Sequence, residues 1–129
     1  MNNNTIKVFD SELRVMELLW RCGDLTAGQL AKFLLEQVGW NRNTTYTVIK
    51  KLIDKGAIER YDDNFSCRAL ITRKQVQNHE ATELVGKLFD GSPEMFLSAF
   101  VSGKKLPDDE IARLKQLVET LDETERDYC

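Results

Sequence analysis

Apolar residues recur at helical spacing three times before residue 56. Leu13, Met16, Leu19 and Trp20, with Val15 and Leu18 widening the stripe, predict a first helix. Asp10 is its expected N-cap, Glu12 sits in its first turn, and Cys22-Gly23 ends it. Thr26-Ala27-Gly28-Gln29 reads as a capping box, in which the threonine hydroxyl serves the Gln29 amide and the glutamine reaches back. The helix it opens runs to about Val38 and buries Leu30, Phe33 or Leu34, and Val38. Gly39-Trp40 makes a turn, and Asn41 caps a third helix with two chemically distinct faces. Thr45, Val48, Ile49, Leu52 and Ile53 gather on one side; Arg42, Asn43, Tyr46, Thr47 and Lys50 gather on the other. Three short helices on short connections are what a helix-turn-helix core requires.

After Lys55-Gly56 the period changes. Residues 57–61 and 65–71 are rich in β-tolerant side chains around the turn cluster Asp62-Asp63-Asn64, predicting a hairpin, the wing. From Thr72 the helical period returns. Val76, Leu84, Val85, Leu88 and Phe89 mark a long fourth helix, ended by Asp90-Gly91. Pro93 starts a short, nearly apolar fifth helix from the first helical position, where its missing N–H is harmless. A sixth begins near Pro107, with Asp108, Asp109 and Glu110 at its positive end, and residues 123–129 are expected to fray. The fold class is therefore mainly α with a small β-hairpin. It divides into an N-terminal winged helix-turn-helix, residues 1–73, and a C-terminal helical dimerisation domain, residues 74–129.

Composition changes the picture mainly through charge. The net charge of −3 hides an asymmetry: residues 1–73 hold 11 Lys/Arg against 9 Asp/Glu, and residues 74–129 hold 7 against 12. The basic excess sits with the two-faced helix and the acidic excess with the tail half, as in a binding half joined to an assembly half. No signal peptide or membrane span is legible, so a cytoplasmic location without membrane insertion is expected. Cys22, Cys67 and Cys129 are too few and too scattered for a disulfide framework or a structural zinc site, and His79 is the lone histidine. No metal, cofactor or catalytic residue is expected. There is no nucleophile–base pair, glycine-rich phosphate loop or HExxH, which argues against an enzyme.

The polar face of the third helix carries side chains suited to bases and phosphates rather than the usual Glu/Lys mixture. Asn43 has the amide geometry for adenine, and Arg42 suits guanine or a phosphate. Thr44 and Thr47 offer hydroxyls and methyls, Tyr46 a phenol, and Lys50, Lys51 and Lys55 charge for the backbone. On the wing, Arg60 and Arg68 can flank a groove, although the Asp62-Asp63 tip repels phosphate. Trp20 and Trp40 read as core and turn-packing residues, Cys22 and Cys67 as buried small hydrophobes, and His79 as exposed or interfacial. Fifty-six residues in three helices, read from the 74–129 span, bury little on their own. Leu84, Leu88, Met95, Phe96, Phe100, Ile111, Leu114, Leu117, Val118 and Leu121 are therefore expected to pack against a second copy, or else back onto the winged helix of their own chain.

Asp10-x-Glu12-x-x-Val15-Met16-x-x-x-Trp20, joined to Trp40-Asn41-Arg42-Asn43-Thr44 and Lys55-Gly56, resembles the penicillinase-repressor family of the BlaI/MecI type over residues 8–121. The resemblance implies a homodimeric repressor on an inverted-repeat operator in double-stranded DNA, commonly controlling β-lactam resistance genes. It implies DNA contacts from Arg42, Asn43, Thr44, Tyr46, Thr47 and Lys50. It also implies relief by proteolysis linked to a membrane sensor with a metalloprotease domain. The matching bond is Ala99–Phe100, with alanine where the family has asparagine. The paired Cys-x-Cys motif of copper-responsive relatives is missing here. The competing readings are a winged-helix protein-interaction adaptor and a repressor answering a thiol or metal signal.

Overall fold

The computed structural model describes residues 6–103 and 105–127. Its first helix, α1 (Asp10–Cys22), starts one residue earlier than Asp10 as N-cap would have it. Phe9 holds the cap position, and the orphan Phe9 N–H donates to Glu12 Oε1 at 2.8 Å. Glu12 thus reaches back from the third helical position, while Asp10 stays exposed as the first helical residue beside the positive helix end. A two-residue strand, β1 (Leu25–Thr26), precedes α2 (Ala27–Val38). The capping box is present: Thr26 N donates to Gln29 Oε1 at 2.8 Å, and Gln29 N to Thr26 Oγ1 at 3.1 Å. Of the two alternatives on this helix, Leu34 is buried and Phe33 lies at the surface. Gly39, at φ 76, closes α2 in the left-handed conformation that its missing Cβ permits. Asn41 Oδ1 then accepts from Thr44 N at 2.8 Å and opens α3 (Arg42–Asp54).

The wing is β2 (Ile58–Arg60) and β3 (Ser66–Ala69), paired antiparallel with Glu59 opposite Arg68 and Arg60 opposite Cys67. β1 adds to the other edge of β3, Leu25 opposite Cys67, giving the order β1-β3-β2. Asp62 folds the turn: Oδ1 accepts from Asn64 N and Ser66 N, both at 3.0 Å, and Oδ2 from the Ser66 hydroxyl at 2.8 Å. The Ser66 backbone and hydroxyl donors hold the Asp62 carboxyl below its ordinary pKa. Three further helices follow, α4 (Arg73–Leu88), α5 (Pro93–Ser102) and α6 (Asp108–Asp127).

The core gathers the apolar faces of α1, α2 and α3 over Ala57, Ile58, Cys67, Ile71 and Val76. Met16, Leu30, Leu34, Ile49 and Leu52 are fully buried, each contributing about 1.5–3 kcal/mol relative to an exposed side chain. Trp20 and Trp40 pack against this cluster, and Trp20 Nε1 donates to the Ile71 carbonyl at 2.9 Å. Cys67 is buried as the sequence suggests, but Cys22 is exposed because it falls on the last turn of α1 beyond the apolar stripe.

The chain forms two compact units, Met1–Leu84 and Val85–Cys129. The sequence suggests a break after residue 73. The first turns of α4 belong with the winged helix because Val76 enters its core and Lys7 reaches Glu83 and Glu80 at 3.4 and 3.8 Å. In the second unit Ser92 Oγ caps α5 by accepting from Met95 N at 3.1 Å, with Pro93 in the first turn. Phe89 meets Phe96 edge-on at 5.5 Å, and Phe96 stacks on Phe100 at 6.1 Å. None of the described side chains of residues 85–121 is buried. α6 keeps helical backbone to Asp127, beyond the point where fraying is expected; Cys129 lies outside the described residues.

Candidate nucleic-acid interface

Because α3 spends Thr45, Val48, Ile49 and Leu52 on the core, its opposite face is set outward. Asn43, Thr44, Thr47, Lys50 and Lys51 are exposed, and among the described residues their side chains carry no hydrogen bond or ion pair. Asn41 is different, since its side-chain oxygen is used by the cap. Arg42 lies along the helix: its guanidinium donates to the Tyr46 hydroxyl at 2.9 Å and sits 5.0 Å from the ring centroid. A helix end with free amides, hydroxyls and ammonium groups can donate to phosphates and base edges without first breaking internal bonds.

The wing meets α3 through aromatic rings. Tyr46 and Phe65 pack edge to face, centroids 5.7 Å apart at 88°, and the Arg60 guanidinium lies 4.0 Å over the Phe65 ring. Phe65 has φ 58, a conformation that disfavours a bulky side chain. Nothing in the periodicity singles out Phe65. The one available signal is its place directly after the turn cluster Asp62-Asp63-Asn64, where a left-handed residue is expected in a hairpin loop.

Two candidate cations are placed elsewhere. Arg68 is engaged by Asp24 at 3.4 Å and Glu59 at 3.2 Å and lies 4.2 Å from the Tyr61 ring, so its charge is largely matched inside the chain. The same Asp24 carboxylate accepts from the Tyr61 hydroxyl at 3.0 Å and pushes that phenol's pKa up. Lys55 faces α1 rather than solvent, with Nζ 2.7 Å from both Glu12 Oε1 and the Lys7 carbonyl and 4.9 Å from the Phe9 ring. Periodicity misses this pair because it assigns every charged residue to the wet face.

His79, Glu80 and Glu83 bring potential ligand atoms within 4.8 Å of one another on α4. The Lys7 ammonium already stands beside both carboxylates, and His79 Nε2 lies 3.4 Å from Glu83. His79 is thus partly buried in an ion-pair cluster. No described helix is long and apolar enough to cross a membrane.

Three helices, a three-stranded wing sheet and an outward polar helix face define a winged helix-turn-helix of the DNA-binding class. The solution structure of the DNA-binding domain of the repressor BlaI matches it with a TM-score of 0.51 at 25% identity, covering 58% of this chain and 93% of that one. The penicillinase repressor family model matches residues 9–120, and the chain belongs to that family. It is 26% identical over 120 residues to the methicillin resistance regulatory protein MecI of Staphylococcus aureus, covering 92% of this chain and 98% of that protein. It is 22% identical over 118 residues to the penicillinase repressor of Bacillus licheniformis, covering 88% and 90%. Membership places the chain among transcriptional repressors rather than in an enzyme family.

Proposed function

We propose that the chain is a homodimeric repressor that seats α3 of each protomer in the major groove of an inverted-repeat operator. The observation that carries this reading is the exposed face of Asn43, Thr44, Thr47, Lys50 and Lys51 on α3, whose side chains make no hydrogen bond or ion pair among the described residues. Arg42 and Tyr46 extend that face toward Arg60 on the wing, whereas Arg68 contributes little because acids of its own chain hold it.

The second unit supports a twofold assembly. Leu88, Met95, Phe100, Leu117, Val118 and Leu121 are exposed, with Leu88 at 65%, and Phe96, Ile111 and Leu114 are only partly covered. Leu84, at the end of the first unit, is also exposed. So much apolar surface on two and a half helices marks an association face, here for a second copy. The genes governed are those of β-lactam resistance or a related response, in line with the names of the relatives.

Relief follows if α5 is cut at Ala99–Phe100 by a protease tied to a membrane sensor. Both residues are exposed, although the bond lies inside a helix that must open locally first. Cutting there severs α6 and the end of α5 from the rest of the assembly face without touching α3. The test is footprinting across the promoter of the chain's own gene, followed by titration of the protected duplex. Asn43→Ala should weaken the protected site by about 1–3 kcal/mol and random duplex much less. Lys50→Ala should weaken all duplexes and lower the salt slope by about one unit. A chain that protects no DNA at any salt concentration is the adaptor instead.

A further inference from the structure

We propose that Phe65 is a positioning residue for operator binding, its ring holding the wing cation Arg60 and the Arg42–Tyr46 pair of α3 in one preset array. The inference rests on the operator reading above and adds to it a residue that touches no base. The backbone of Phe65 is pinned on both sides, its carbonyl accepting from Ala27 N at 2.9 Å and its amide donating to the Asp62 carbonyl at 3.1 Å. The fold, not the nucleic acid, therefore decides where the ring stands. From there the ring forms the wall against which Tyr46 packs at 5.7 Å and the platform on which Arg60 rests at 4.0 Å. Tyr46 in turn accepts from Arg42 at 2.9 Å. Two guanidiniums on separate elements are thus tied through two rings.

Glycine or asparagine would adopt φ 58 with less strain. At that cost the ring packs against the core and carries both Tyr46 and Arg60. Its role is the ordering of long, rotamer-rich side chains before DNA arrives, which lowers the entropy lost on association. Phosphate contacts themselves are not added, so the ring should alter affinity and leave the number of displaced counterions alone.

The test uses the full-length chain, the duplex it protects and a random-sequence duplex, titrated at several salt concentrations. Phe65→Gly fits the local backbone and removes the ring. It should weaken the protected duplex about tenfold with an unchanged slope of log affinity against log salt. Arg60→Ala should lower that slope by about one unit. The double variant should lose less than the product of the two single losses, and Phe65→Tyr should bind within about twofold of the parent. Phe65→Leu keeps apolar bulk without a π face and carries the same expectation as Phe65→Gly if the glycine variant is unstable. Parent-like binding by both variants, or fully multiplicative losses with Arg60→Ala, overturns the positioning role alone. Failure of the parent chain to bind any duplex overturns the operator reading, and this role with it.

Discussion

Replacing Lys55 with methionine separates two roles that its position near the end of α3 allows, a phosphate contact and a structural counter-ion. The Glu12 side chain is 4% exposed and accepts only two hydrogen bonds among the described residues, from Phe9 N at 2.8 Å and Lys55 Nζ at 2.7 Å. Methionine keeps the apolar stem and leaves the carboxylate with the amide alone. Breaking a fully buried pair in this way costs about 3–5 kcal/mol. The Lys55 side chain is 25% exposed, so water reaches one end of the pair, and about 2–3 kcal/mol is expected here. For a unit of this size that lowers Tm by roughly 10–20 °C. Urea unfolding at pH 7 should show a lower midpoint at constant m, and Glu12→Gln with Lys55→Met should recover much of the loss, because no buried charge remains. Residual operator binding should keep its salt slope. A loss below about 0.5 kcal/mol, or a slope reduced by a full unit, would sink the counter-ion account and return Lys55 to the phosphate backbone.

Thr45 is fully buried on α3 and its hydroxyl has no hydrogen-bond partner among the described residues, so Thr45→Val should stabilise the chain by about 1 kcal/mol in urea unfolding, with operator affinity unchanged. Burial pushes the Cys67 thiol up to about 11; the Arg60 charge opposes this slightly, while Asp24 and Asp62 add to it. The unfolded thiol, near 9, binds fewer protons than the folded one between these values, so this contribution is whole below about pH 9 and fades as pH rises toward 11. Urea midpoints of the parent should therefore fall more steeply over that window than those of Cys67→Ala, and parallel curves would refute the assignment.

The elements were legible wherever one face is apolar and a cap marks the start. Thr26-Gln29, Asn41 and Ser92-Pro93 each open a helix as their chemistry requires. Capping of α1 was not, because Asp10 and Glu12 are both acids near a helix start and only packing decides which carboxylate turns inward. The inward choice is Glu12, since Lys55 from α3 is there to meet it. β1 is two residues long and carries no alternation to detect; it exists because β3 offers an edge to Leu25 and Thr26. On the site, the free face of α3 followed from periodicity alone. The different fates of Arg60 and Arg68 did not, since the register that sets Arg68 opposite Glu59 and brings Asp24 alongside is a tertiary fact.

That sorting of cations explains how a modestly basic half can read DNA. Lys7, Lys55, Arg68 and Arg73 are matched by Glu83, Glu12, Asp24 with Glu59, and Glu17. The neighbouring charges left outward on α3 and the wing are Arg42, Lys50, Lys51 and Arg60. If all four neutralise phosphates, one protomer gives a salt slope of about −3.6, and a dimer on two half-sites about −7. Raising salt from about 50 to about 200 mM then weakens a single protomer by about 10²-fold and a dimer by about 10⁴-fold. Leu117→Glu places a charge on an exposed position of α6. Sedimentation should show that variant as monomer, and its slope should halve while Asn43→Ala still weakens the protected duplex. A dimeric Leu117→Glu chain, or a parent slope already near −3.6, would break the link between assembly through the second unit and recognition by the first.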